Sequence, residues 1–198
     1  MVANRRKLET AEHSPTARRI LNAAGRCFQA EGIAKVTIVD ISKAAKYSRP
    51  IIYRHFGGKD DIVDHLCLDE MQIIQSKLNE IMPREMGFTQ RLVEIITQAV
   101  ILSLESPYIQ VFMQNRKAWL RSQTAGSDVH SWVKKRWQAY LAYGQRHGML
   151  AADLEIEEAV NWIAMSQSML LMRFEGQELV EADIRRLVSR FVVRPLVG

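Results

Sequence analysis

The chain has 198 residues, 47% of them hydrophobic and 25% charged, with a formal net charge of +5. That length supports a real apolar core in one domain or two small ones, and the balance excludes a wholly disordered chain. The longest uncharged run, the fourteen residues from Ala159 to Met172, is broken by Asn161, Ser166, Gln167 and Ser168, and it falls short of the roughly 20 apolar residues that span a bilayer.

The charge is unevenly spread. Residues 1–60 hold twelve Lys/Arg against five Asp/Glu, a net +7, and the remainder carries a net −2. A basic front on a nearly neutral body suits a module that faces a polyanion, although a solvated basic surface would look the same. Cys27 and Cys67 match no metal-ligand spacing and read as reduced thiols in helices. The start MVANR lacks the apolar stretch of a signal peptide, so a cytoplasmic location is expected.

Helical periodicity runs through almost the whole chain, and strand signals are absent. Residues 1–13, with Arg5, Arg6 and Lys7, read as a loose basic arm. Ser14-Pro15 opens a first helix with a capping hydroxyl and a first-turn proline. Ile20, Ala24 and Phe28 line one face of it, and Gly32 closes it as a left-handed cap. Thr37 caps a short second helix to about Ala45, with Ile38, Ile41 and Ala45 inward. Ser48 caps a third from Arg49 to Phe56, where Pro50 is tolerated because first-turn amides lack an intrahelical acceptor. Gly57-Gly58 ends it. Lys59 opens a fourth helix to about Met82, and Thr89–Leu104 forms a fifth. A sixth restarts at Ser106-Pro107 and runs to a loop at residues 122–128. A seventh follows from Ser127 or Asp128 to Gly148. Acids 153, 155, 157 and 158 suit the positive end of an eighth helix that reaches Glu175, and Glu181–Arg194 makes a ninth. The expected architecture is all-α, with about nine helices. It divides into a basic arm (1–13), a short-helix module (14–58) and a longer helical body (59–198).

The second and third helices, joined by Lys46-Tyr47-Ser48, have helix-turn-helix dimensions. On a wheel at about 100° per residue, Ile52 and Phe56 share one face and can anchor the helix against Phe28 and Ile41. Pro50, Ile51 and Arg54 lie opposite, Tyr53 and His55 flank them, and Arg49 in the first turn can swing outward. Guanidinium groups suit guanine O6 and N7, and an apolar stub such as Pro50 or Ile51 suits a thymine methyl. Hydroxyls of Thr37, Ser48 and Tyr53, the His55 imidazole and Lys59 suit phosphate oxygens. A plain surface helix of an α-bundle remains the competing reading at this point.

The stretch TARRILNAAGRCFQAEGIAKVTIVDISKAAKYSRPIIYRHFGGKDDIVDHL, Thr16 to Leu66, resembles the DNA-binding module of TetR-family (tetracycline-repressor-like) transcriptional regulators. Phe28 and Gly32, Thr37, Ile41 with Ala44-Ala45, Ser48, Tyr53 with His55-Phe56, and Lys59 fall in that family's register. The resemblance implies base-facing roles for Arg49, Pro50, Ile51 and Arg54, and phosphate-facing roles for Thr37, Ser48, Tyr53, His55 and Lys59. Two positions depart from it. Lys46 stands where the family often has glycine, and a left-handed lysine would cost roughly 1 kcal/mol. Tyr47 stands where a small aliphatic is common.

The same resemblance implies that the module at 14–58 is a DNA-binding helix-turn-helix domain and that the body at 59–198 binds an effector and dimerises; no cofactor or metal is expected. Trp162, Met165, Met169 and Met172 on the eighth helix form one apolar stripe, and Ile184, Leu187, Val188, Phe191 and Val192 on the ninth form another. A stripe alone favours an internal core; the resemblance tips it toward a four-helix dimer interface. Two reading helices about 34 Å apart would then match a roughly palindromic operator. Ile96, Val100, Phe112, Met113, Trp119, Trp137 and Tyr140, with Phe88, supply methionine and broad aromatics suited to a small apolar or aromatic effector. By resemblance, effector binding would shift the fourth helix and spoil the groove spacing.

An enzyme is the main alternative, since Asp61, Asp64, His65, Cys67 and Asp69 cluster in sequence. The cluster lacks an open three-ligand metal pattern, and the chain has neither a phosphate-binding loop nor a nucleophile elbow. A helical binding or scaffold protein that ignores DNA is the third reading, and the +7 front argues against it.

Overall fold

The computed structural model describes residues 13–83, 85–124, 126–178 and 180–197, so the expected basic arm falls outside the described residues except for His13. Ten α-helices account for most of them: α1 Pro15–Glu31, α2 Ile38–Ala45, α3 Arg49–His55, α4 Lys59–Ile81, α5 Phe88–Glu105, α6 Pro107–Gln114, α7 Arg116–Ser122, α8 Asp128–Arg146, α9 Ile156–Phe174 and α10 Glu181–Leu187. No strand occurs among the described residues. The all-α expectation holds, with two differences from the expected helices.

The expected sixth helix is two. Asn115 leaves the helix, and its side chain accepts a hydrogen bond from Ala118 N (2.9 Å) to start α7. An asparagine whose side chain mimics the backbone acceptor is better used as a cap than inside a helix. The expected ninth helix keeps α-geometry only to Leu187. Val188–Val193 then widens into a π-helical segment, and Arg194–Leu196 tightens into a 3-10 turn around Pro195.

The chain forms two compact units. The first comprises the segment up to Met71 with Pro107–His130, and the second Gln72–Ser106 with Ser131–Gly198. In the first unit, α1 packs on α2, α3 and α6, and α6 on α7. Ile20, Leu21, Phe28, Val36, Ile41, Ile52 and Ile62 are fully buried there. Tyr108 of α6 donates its hydroxyl to Val63 O of α4 (3.2 Å), and burial pushes that phenol well above its usual range. Arg121 of α7 grips the same helix: Nη2 lies 2.7 Å from Asp64 Oδ1 and donates to Asp60 O at 3.2 Å.

In the second unit, α5 packs on α9, on α10 and on the π segment, with Leu92, Ile96, Val100, Leu141, Ile163, Ile184 and Val188 buried. Arg185 of α10 pairs with Glu94 of α5 at 2.7 Å and with Glu181. Phe88 stacks on Tyr140 with ring centroids 5.0 Å apart and lies directly over Gly144 of α8. Gly144 is there because there is no room: a Cβ would stand 2.2 Å from Phe88 Cζ. Trp162 Nε1 donates to Val192 O at 3.1 Å and ties α9 to the chain's last turns.

Candidate nucleic-acid interface

The interface begins with how α1 to α3 are held. Ser14 Oγ accepts from Ala17 N (3.2 Å) and Pro15 takes the first turn, as the sequence suggests. Gly32 ends α1 at φ 80° and ψ 149°, a positive φ but an extended ψ rather than a left-handed helical cap. Thr37 caps α2 through a reciprocal box. Its Oγ1 accepts from Asp40 N (3.3 Å) and donates to Asp40 Oδ2 (2.6 Å), and Asp40 Oδ2 also accepts from Thr37 N (2.9 Å). The hydrogen bonds from Thr37 hold the Asp40 carboxyl below its usual range.

The turn resolves both departures from the family pattern. Lys46 is left-handed, φ 58° and ψ 39°, and is the one non-glycine residue with positive φ among those described. The turn is held on both sides of it: Tyr47 N donates to Ser42 O (3.2 Å), and Ser42 Oγ donates to Tyr47 O (2.6 Å). These bonds offset the local cost of a left-handed L-residue. Tyr47 finds room under Arg19, whose guanidinium carbon sits 5.3 Å from the ring centroid.

Helix α3 is pinned by Ile52 and Phe56, 0% and 2% exposed, as the wheel expects. Arg49, Pro50, Tyr53 and Arg54 are exposed, Tyr53 at 56%, and Ile51 is half-buried. Ser48 sits at the N-cap position, but its hydroxyl makes no cap hydrogen bond, so it does not cap α3 as expected. Among the described residues, the side chains of Ser48, Arg49, Tyr53 and Arg54 have no hydrogen-bond or ion-pair partner. A short helix thus presents two free guanidinium groups, a phenol and a hydroxyl on the side away from its anchors.

Three residues expected to face phosphate are placed differently. Lys59 Nζ donates to Ile33 O (2.9 Å), Val36 O (2.9 Å) and Ala34 O (3.4 Å), so it clamps the α1–α2 connection. The ammonium's three protons are directed at carbonyls that the turn leaves without helical partners. Thr37 has its hydroxyl proton on Asp40. His55 is half-buried, and its Nε2 is buried without a hydrogen-bond partner in the chain by itself. The acids and thiol of the alternative site are engaged elsewhere. Asp64 pairs with Arg121, Asp69 accepts from His13 and Arg18, and burial pushes the Cys67 thiol far above its usual range. His65 lies against Asp61 (3.8 Å), the His13 ring (5.1 Å between centroids) and the Phe56 ring (5.2 Å). No group of three metal-ligating side chains occurs among the described residues.

Residues 20–66 match the model of the bacterial regulatory proteins of the TetR family. The chain is 25% identical over 169 residues to the HTH-type transcriptional regulator TtgR of Pseudomonas putida, a match that covers 78% of this chain and 77% of that protein. It is 20% identical over 158 residues to the HTH-type transcriptional repressor KstR2 of Rhodococcus jostii, covering 78% of each. Among solved structures, the transcriptional regulator FadR of Bacillus subtilis, in complex with stearoyl-CoA, superposes with a TM-score of 0.67 at 16% identity, over 90% of this chain and 98% of that one. Residues 20–66 thus form a DNA-binding module of the TetR family.

The TetR-family match covers the helix-turn-helix, and the body residues are located by their own surroundings. In the first unit, Phe112 is buried and meets Trp119 edge-on with centroids 6.1 Å apart, and Met113 is half-buried. In the second, Ile96, Val100 and Trp137 are buried, and Trp137 meets Tyr140 edge-on at 6.4 Å. Of the expected dimer residues, Met165, Met169, Met172 and Phe191 are 51%, 58%, 56% and 62% exposed. Trp162 and Leu187 are half-buried. Ile184 is 0% exposed: it belongs to the core of the second unit and has no surface to offer a partner, contrary to the expectation from the stripe. No single helix among the described residues is long and apolar enough to cross a membrane.

Proposed function

We propose that this chain is a TetR-family repressor that binds a palindromic operator as a homodimer and leaves it when a small apolar or aromatic effector binds. The observation that carries the DNA-binding part is α3, with Ile52 and Phe56 buried and Arg49, Pro50, Tyr53 and Arg54 exposed and free of partners. Arg49 and Arg54 read guanines, and Pro50 and Ile51 lie against thymine methyls. Ser48 and Tyr53 donate to phosphates and set the register. Thr37, His55 and Lys59 act behind them, shaping the module that presents α3. In this reading residues 14–58 serve DNA and residues 59–198 serve effector and partner.

The dimer is supported by Met165, Met169, Met172 and Phe191, four large apolar side chains left in water by the isolated chain. Two copies of α9 and of the last helical segment would cover them. The effector reading is supported by the aromatic content around Phe112 and Trp119 and around Phe88, Trp137 and Tyr140. Effector and DNA are linked thermodynamically: the effector releases DNA only to the extent that it prefers the state that cannot bind it. The protein works in the cytoplasm and does no chemistry.

Recovery of genomic fragments on the purified protein, followed by footprinting, tests this reading. The expected result is a protected site with inverted half-sites about one helical turn, ~34 Å, apart or a multiple of it. Fragments bound without a shared sequence, at an affinity indifferent to salt, would contradict it.

A further inference from the structure

The second unit holds a charge that the DNA-binding reading does not use. Arg136 lies half-buried on α8, between Trp132 one turn before and Tyr140 one turn after. Its guanidinium carbon stands 5.8 Å from the Trp132 ring centroid. It has no hydrogen bond and no carboxylate partner among the described residues. Other half-buried charges of this unit have found polar partners: Glu94 holds Arg185, Lys134 holds Glu157, and Arg91 donates to Pro83 O. Burial alone pushes the Arg136 guanidinium down to about 10, with no charged neighbour acting on it.

A guanidinium withdrawn from water with only a ring face beside it is a donor fork without an acceptor. The Trp132 face offsets part of that cost, but it leaves the in-plane N–H groups unused. Those groups match a carboxylate in the two-pronged geometry that arginine makes best. Along the same row, Tyr140 stacks on Phe88, so an apolar surface continues from the cation. From this juxtaposition we infer that the second unit binds an amphipathic organic anion, its carboxylate on Arg136 and its apolar part along Trp132 and Tyr140. The inference rests on the proposal that the body binds a small effector, and narrows that effector from apolar or aromatic to an apolar acid.

The test uses the full-length protein and intrinsic tryptophan fluorescence. Dodecanoate is titrated against dodecanol, and phenylbutyrate against phenylbutanol, all below their aggregation thresholds, with wild type, Arg136→Met and Arg136→Lys. Arg136→Met is expected to fold at least as well as wild type, because an unpaired buried cation is replaced by an apolar side chain of similar length. Circular dichroism and melting check that. Wild type should prefer each carboxylate over its alcohol by about tenfold or more. Arg136→Met should lose that preference and keep its affinity for the alcohols, and Arg136→Lys should restore part of it. Equal binding of acid and alcohol by wild type would overturn the inference, as would no binding of either acid, or a preference that survives in Arg136→Met. So would a variant that keeps its acid preference but changes from dimer to monomer in sedimentation, since Arg136 would then face an acid of a second copy. Binding to genomic DNA is measured separately. A protein that ignores DNA yet shows the Arg136-dependent preference would sink the regulator and leave this inference standing; DNA binding without that preference would do the reverse.

Discussion

Lys59→Met separates two roles that a lysine at this place in the fold could play. The ammonium donates to three carbonyls, two of them at 2.9 Å and partly buried, the third at 3.4 Å and exposed. Counting about 1 kcal/mol for each of the two short bonds and nothing for the long one gives a loss near 2 kcal/mol. Methionine also removes a positive charge from the amino end of α4, which returns roughly 0.5 kcal/mol. The net loss is about 1.5 kcal/mol, and with a urea slope of about 2–3 kcal/mol/M the unfolding midpoint should fall by roughly 0.5–0.75 M. DNA affinity, measured at temperatures where the variant is folded, should fall little. The slope of log affinity against log salt should stay unchanged, as expected of an ammonium whose protons serve the three carbonyls. A phosphate-binding lysine would behave in the opposite way: the slope would drop by about 0.9 per contact, near 2 for a dimer, with the midpoint unmoved. That second pattern would refute the clamp.

Three further substitutions probe the packing. Gly144→Ala would gain about 1 kcal/mol of helix propensity on an open helix face. Here its methyl meets Phe88 at 2.2 Å, so a net loss of about 1–3 kcal/mol in thermal or urea unfolding is expected. At the left-handed turn residue, Lys46→Val should be less stable than Lys46→Asn by about 1 kcal/mol, since a branched Cβ suits φ 58° poorly and asparagine tolerates it. Burial pushes His65 below its usual 6.5, against an opposing pull from Asp61 and with His13 adding to the depression. The unfolded chain therefore binds the proton first, and stability should fall as pH drops from about 7 through about 6. His65→Gln should flatten that part of the stability–pH curve, and an unchanged curve would remove His65 from it.

Much of the front module is readable from residue types alone. Ser14-Pro15, Thr37 with Asp40, and the spacing of Ile52 and Phe56 act within a few residues of each other, so local chemistry decides them. The reading is weaker wherever a side chain finds its partner far along the chain. Lys59 looks like a phosphate ligand until its ammonium is seen on carbonyls 23 to 26 residues earlier. Ile184 and Phe191 belong to one apolar stripe in sequence, yet one is core and the other surface, because α5 covers only part of the last helical segment. Asn115 was a usable signal: a capping residue between two apolar helical turns marks the break between α6 and α7. Arg136 gives no sequence signal, since a lysine-arginine run on a helix normally means a solvated face. Only the half-burial of its third member, with no acid beside it, sets that position apart.

The most direct measurement of DNA reading by α3 is the salt dependence of binding to a recovered genomic site, in wild type and in the Tyr53→Ala/Arg54→Ala double variant. Both side chains are exposed, so the variant should melt close to wild type. Losing a guanine fork of about 1–3 kcal/mol and a neutral phosphate hydrogen bond in each half-site should reduce affinity by about a hundredfold or more, and removing one Arg54 charge per half-site should lower the salt slope by up to about 2. Undiminished binding with an unchanged slope would mean that another surface holds the DNA.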